Sequence, residues 1–145
     1  MKSFSICSIN ISRNKGEQKK PVEKAMLVAG HGIEGDAHAG DWHRQVSLLA
    51  REDIDTMRGK GIDLGYGDFA ENITTLGADL ASLPVGAKLR IGGAVLTVTQ
   101  KGKECHDRCA IYAAVGDCVM PRRGIFATVD QGGEISVESE GYYDI

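Results

Sequence analysis

Nothing in these 145 residues is long and apolar enough to span a membrane or to form a signal-peptide core. The first twenty residues alternate polar and apolar instead. The expected compartment is therefore the cytoplasm, with no membrane partner. An excess of positive charge is also lacking. The net charge of −3 argues against a general nucleic-acid binder, whose phosphate contacts usually make a chain basic. Phosphate-loop spacing, G-x-x-x-x-G-K-S/T, is absent, as is the G-x-S-x-G of a serine-hydrolase elbow. No nicotinamide fingerprint, internal repeat, linker or low-complexity segment is found.

What remains is ordinary in bulk, with 42% hydrophobic and 26% charged residues. The length fits one domain, residues 1–145, able to bury roughly 70% of its unfolded surface without disulfides. Nineteen glycines are nearly twice the usual share, and they are spread along the chain. That is the pattern of many turns between short strands.

The alternation in residues 3–12 predicts a strand, with Cys7 as a small apolar residue in it. A second strand is expected over 22–28, then a glycine-rich loop over 29–43. The stretch "VSLLAREDIDTMRGKG" predicts the main helix. Leu48, Leu49, Ile54 and Met57 form its stripe, Ser47 its cap, and Gly59 and Gly61 its end. "AENITTLG" reads as a short strand. Hairpins are expected around Gly92-Gly93 and around Gly132-Gly133. One or two helical turns are expected in "HDRCAIYAAVG". The predicted class is mainly β: a closed or nearly closed barrel with a few peripheral helices.

Three of the four cysteines fall in "QKGKECHDRCAIYAAVGDCVMPRR", residues 100–123, among Lys101, Lys103, Arg108, Arg122 and Arg123. Cytosolic thiols stay reduced and are more often reactive or metal-binding than bridged. Cys105 follows a predicted strand end, and Lys101, Lys103, His106 and Arg108 are its neighbours in sequence. Such cations favour the thiolate, the reactive form, and attract an anionic ligand such as a phosphate. Three other readings stay open. The cysteines can be inert core. Cys105, His106, Cys109 and Cys118 can supply four zinc ligands, although C-x3-C-x8-C is not a knuckle spacing. Cys105 and Cys109 can form a reversible disulfide.

"GDAHAGDWHRQVSLL" packs Asp36, His38, Asp41, His43 and Arg44 into nine residues. Such a run can hold a metal or an anion, orient a catalytic group, or simply build turns. "GDFAENITT" places Glu71 and Asn72 where a strand begins. His31 reads as a loop residue.

Those two stretches, continued as "GDFAENITTLGADLASLPVGAKLRIGGAVLTVTQKGKEC", together with "CVMPRRGIFATV", resemble the MOSC domain in order and spacing over about residues 30 to 130. That family is named from the C-terminal domain of molybdenum cofactor sulfurases, and the chain looks most similar to its small stand-alone bacterial members. The resemblance implies a β-barrel and a signature cysteine, Cys105, that carries sulfur as a persulfide or contacts the molybdenum cofactor (molybdopterin). It places Asp36, His38, Arg44, Glu71 and Asn72 near the pocket. Lys101, Lys103 and Arg108, with Arg44 or Arg122, would hold the pterin phosphate. Full sulfurases carry a pyridoxal-phosphate domain, for which this chain has no room, so no pyridoxal phosphate is expected. Amidoxime-reducing relatives use a further N-terminal domain that is also missing. Cys109 and Cys118 depart from the family signature and are candidate resolving thiols. The implied partners are a cysteine desulfurase or other sulfur donor, and a molybdopterin-biosynthesis protein or molybdoenzyme. The rival functions are a molybdopterin carrier without turnover and a zinc-stabilised interaction domain. The oligomeric state is not legible.

Overall fold

The computed structural model describes residues 2–13, 19–58, 71–101 and 124–143. Among these, the strands are β1 (Lys2–Ile11), β2 (Lys20–Val22), β3 (Lys24–Val28), β4 (Gly32–Ile33), β5 (Val46–Ala50), β6 (Ile73–Leu76), β7 (Lys88–Ile91), β8 (Ala94–Lys101), β9 (Ile125–Gln131), β10 (Gly133–Ser136) and β11 (Glu140–Tyr143). One helix, α1 (Arg51–Arg58), and a single 3-10 turn at Leu80–Ser82 accompany them.

Seven strands pair in the order β11-β7-β8-β9-β5-β6-β1, and β1 pairs back onto β11, closing a barrel. Alternation fills its interior. Leu89 and Ile91 on β7, and Ala94, Leu96 and Val98 on β8, point inward and are buried, as are Phe4, Ile6 and Ile9 on β1. Burial of each large aliphatic or aromatic side chain is worth about 1.5–3 kcal/mol. β2 continues the sheet beyond β1, and its Pro21 is tolerated there because an edge strand has no second neighbour to donate to. A separate three-stranded sheet runs β10-β3-β4.

Closure and the mainly β class agree with expectation, as does the β7–β8 hairpin, where Ile91 faces Ala94 across Gly92-Gly93. Three elements differ. The expected strand over 22–28 is broken at Glu23, because Val22 pairs with β1 while Lys24 already pairs with β10. The expected helix begins five residues late, since Val46–Ala50 is strand β5. All five of its residues are buried: Val46, Leu48 and Ala50 belong to the barrel core, and Ser47 and Leu49 on the other face are inaccessible as well. A strand covered on both sides loses its alternation and mimics a helical stripe. β5 and β6 run parallel, so the chain must cross over between them, and α1 begins that crossover.

The second expected hairpin does not form. β9 pairs with β8 and β5, whereas β10 pairs with β3. A Cβ on Gly132 would lie 2.5 Å from the Leu27 carbonyl oxygen, so glycine here permits two backbones to touch as the chain leaves the barrel. No helix of the described residues is long and apolar enough to cross a membrane.

Candidate functional site

Two β-bulges shape the strands around the site. On β1 the register shifts between Ile6 and Ser8, around the half-buried Cys7. Burial pushes the Cys7 thiol up, against a smaller opposing pull from Arg51, which favours the neutral thiol there. Beyond the bulge, Ser8 and Asn10 are buried. On β8 the register shifts between Val98 and Gln100. A bulge re-aims side chains, and these place Thr99 and Gln100 against the loop that precedes β5.

The innermost layer is a buried polar net. Glu71 and Asn72 are fully buried at the start of β6. The Asn72 Oδ1 accepts from the Ser47 amide at 2.9 Å and from the Ser47 hydroxyl at 3.1 Å, and its Nδ2 donates to the Asn10 carbonyl at 3.1 Å. Ser47 is thus a tie between β5 and β6, not a helix cap. The Thr74 hydroxyl donates to Glu71 Oε2 at 2.8 Å. Asn10 Nδ2 donates to the Glu71 carbonyl at 3.2 Å, and the Ser8 hydroxyl donates to Asn10 Oδ1 at 2.6 Å. Buried polar groups persist only when paired in this way.

The second layer is a buried ion pair. Lys19 Nζ lies 2.8 Å from Asp36 Oδ1, with both side chains wholly inaccessible. The same ammonium donates to the Ser12 hydroxyl at 3.1 Å, and the Ser12 amide donates to Asp36 Oδ1 at 3.1 Å. Burial alone would raise the Asp36 pKa. The hydrogen bond and charge of Lys19 outweigh it, with lesser help from the Ser12 amide and the Asn72 side chain, and the net shift is downward. Asp36 Oδ2 accepts the His38 amide at 3.1 Å, which fixes the start of the 36–44 loop.

The outer layer lies where that loop meets the end of β8. His43 Nε2 is 2.8 Å from Gln100 Oε1, and Arg44 Nε donates to the same oxygen at 3.0 Å. The Thr99 hydroxyl donates to the His43 carbonyl. The Arg44 guanidinium carbon sits 5.9 Å from the Trp42 ring centre and 5.2 Å from that of Phe126. The Trp42 indole N–H donates to the His38 carbonyl at 2.7 Å. Asp36, His38, Glu71 and Asn72 therefore belong to one continuous network, and Arg44 stands at its outer rim. Lys101 ends β8 and is exposed. Lys103, Cys105, His106, Arg108, Cys109, Cys118 and Arg122 lie outside the described residues, as do the expected helical turns in 106–116. Among the described residues, no three His, Cys, Asp or Glu side chains cluster as a metal site.

A family model described as the MOSC domain matches residues 35–140, which include every residue of this network except Ser8, Asn10, Ser12 and Lys19. The chain belongs to the MOSC domain family. That family is associated with the molybdenum cofactor. No curated protein matches the chain by sequence. Among solved structures it is similar to the YuaD protein from Bacillus subtilis, with 20% identity, a TM-score of 0.81 and coverage of 97% of this chain and 94% of that one. It is similar to YiiM from Geobacillus stearothermophilus at 19% identity and a TM-score of 0.73, covering 98% and 75%. YiiM from Escherichia coli follows at 18% and 0.68, covering 100% and 71%. At these identities the likeness is one of fold.

Several members of this MOSC domain's network were not singled out from sequence. Lys19 sat in a polar run that reads as a turn, and nothing local marks it. Gln100 did carry a signal: plain alternation after Ala94, Leu96 and Val98 would put this polar residue in the core, a conflict that the bulge between Val98 and Gln100 removes. Trp42 and Phe126 were visible only as isolated aromatics.

Proposed function

We propose that this MOSC domain transfers sulfur, or handles the cofactor, in molybdenum cofactor metabolism, with Cys105 as the persulfide-forming or metal-contacting thiolate. The observation that carries this reading is the meeting of the 36–44 loop with the end of β8 at Gln100. Cys105 follows Gln100 by five positions in the sequence. His43 and Arg44 are thus held at the strand end that leads into the cysteine segment.

Each layer has a task in this reading. Glu71, Asn72 and the Lys19–Asp36 pair hold the loop rigid, so that His38 and Arg44 keep their positions. Arg44, with Lys101, Lys103 and Arg108, attracts an anion, and the same positive field favours the Cys105 thiolate over the thiol. A guanidinium and an imidazole beside this strand end suit a phosphate-bearing pterin, so molybdopterin is read as cargo or acceptor.

The chemical step needs a donor persulfide, such as that of a cysteine desulfurase. The Cys105 thiolate attacks the outer, sulfane sulfur. The donor's S–S bond breaks and its cysteine leaves as a thiolate, while Cys105 becomes the persulfide. Where Cys109 or Cys118 resolves it, that thiolate attacks the Cys105 sulfur. A disulfide forms and hydrosulfide is released, the two cysteines being oxidised as the sulfane sulfur is reduced. Mass spectrometry after incubation with a cysteine desulfurase and free cysteine tests this. Cys105 should gain the mass of one sulfur atom, and Cys105→Ser should gain none. An unmodified Cys105, under conditions that load a control carrier, refutes the sulfur-carrier reading.

A further inference from the structure

Thr99 and Gln100, at the β8 bulge, both hold His43. The Thr99 hydroxyl donates to its carbonyl, and the Gln100 amide meets its ring. Loop side chains at a surface are usually mobile, so an exposed histidine tied by both backbone and ring calls for a reason. The bonding pattern also settles where its proton sits. The Arg44 Nε–H can only donate, so the Gln100 atom 3.0 Å from it is the amide oxygen and not the nitrogen. An amide oxygen can only accept. His43 Nε2, 2.8 Å from the same oxygen, must therefore carry a hydrogen. In the neutral ring Nδ1 then holds a lone pair, which no hydrogen bond among the described residues occupies. Arg44 is fixed by that oxygen too. Its Nε is used, and the rings of Trp42 and Phe126 lie beside the guanidinium, with centres at 5.9 and 5.2 Å. Among the described residues no carboxylate pairs with Arg44, so its two terminal nitrogens keep their charge-assisted bonds for an anion.

We propose that Gln100 is the positioning residue of this site: its one amide oxygen holds His43 with Nε2 protonated and Nδ1 as the proton acceptor, and holds Arg44 for an anion. The proposal deepens the proposed function and rests on it. In persulfide transfer the accepting thiol must lose a proton before it attacks, and the donor cysteine gains one after it leaves. His43 Nδ1 takes the proton as the thiol S–H bond breaks, and the ring becomes an imidazolium. When the donor S–S bond breaks, the imidazolium returns that proton to the departing thiolate. One sulfane sulfur has moved one way and one proton the other, so no oxidant or reductant is needed. Glutamine suits the task because it accepts both hydrogen bonds without carrying a charge. A carboxylate in its place would neutralise Arg44.

Nitrogen-15 NMR of the imidazole rings reads the tautomer directly. The chain has four histidines, and the His43 signals are those lost in His43→Asn. At a pH about two units above the usual histidine pKa of about 6.5, the parent should show His43 as a single tautomer with Nε2 protonated. Gln100→Glu keeps an acceptor in place and should keep that tautomer. Gln100→Met keeps the length without the acceptor and should give both tautomers, with the two ring shifts drawn toward each other. Circular dichroism matching the parent establishes that the variants fold. In Gln100→Met, sulfur loading of Cys105 from a cysteine desulfurase should slow about tenfold or more, within what a positioned proton acceptor contributes. Mixed tautomers in the parent, or a proton on Nδ1, overturn the proposal and leave the sulfur-transfer reading standing. A parent-like loading rate in folded Gln100→Met does the same, since Gln100 would then only anchor the loop. Failure of the parent itself to load sulfur overturns both.

Discussion

Asp36 shows how much one side chain of this network depends on another. Its carboxylate and the Lys19 ammonium are both inaccessible to water, so neither charge is tolerable alone. Asp36→Asn leaves the ammonium buried without its counter-charge, and should cost about 3–5 kcal/mol. The pH dependence has a definite sign. The folded pKa of Asp36 lies below the ordinary 3.8, so the stability it contributes is complete above the usual carboxylate range and is lost as pH falls through the lowered folded value. Thermal unfolding followed between about pH 2 and pH 7 should show the parent losing stability in acid. Asp36→Asn should start lower and fall less steeply. Equal slopes would show that Asp36 does not carry this acid sensitivity. At this scale the sequence was legible in part. Asp36, His38, Glu71 and Asn72 came from the family resemblance, and the network joins them. Lys19 was hidden, because its partner lies seventeen residues on and its neighbours are unremarkable polar residues.

Elements were legible wherever pairing is local. β7 and β8 are joined by two residues, and their alternation shows which face is buried. β5 was misread as helix because burial on both faces erased the period that distinguishes the two. The Gly132-Gly133 pair was misread because a glycine that allows a turn and one that allows close approach look identical in sequence. The distinction has a measurable consequence. Gly132→Ala would place a methyl 2.5 Å from the Leu27 carbonyl oxygen, a backbone atom that cannot swing aside, and should cost about 1–3 kcal/mol. Gly93→Ala, in the true hairpin, meets nothing within 4 Å and its φ is not positive, so urea unfolding should move by less than about 0.5 kcal/mol. Similar losses in both would mean that the crossing at Gly132 has room the geometry denies.

For the molecule as a whole, the decisive contact is the one most distant in sequence. β1 and β11 pair across nearly the full described chain, with Lys2 opposite Tyr143 and Phe4 opposite Gly141. No local pattern announces this; the class was readable from the number of short strands, but the closing pair was not. The seam is sealed by the Phe4 ring, which covers Gly141 where a Cβ would lie within 2.3 Å of it, and which also meets Tyr143 at 6.0 Å between centroids. The ring occupies the space that a side chain on β11 would need. Gly141→Ala should therefore destabilise the barrel by about 1–3 kcal/mol, through overpacking. Phe4→Leu should also destabilise it, by lost burial, but should leave room for the added methyl. In a double-mutant cycle of urea unfolding, the two changes together should cost less than the sum of the two alone by more than about 0.5 kcal/mol, the mark of residues in direct contact. Strict additivity would mean that Phe4 does not sit over Gly141. Because β1 and β11 each take a neighbour from that seam, loosening it leaves both with unpaired edges, and edges of this kind recruit other chains. The destabilised Gly141→Ala variant should for that reason also show concentration-dependent association by light scattering, which Phe4→Leu in the same background reduces.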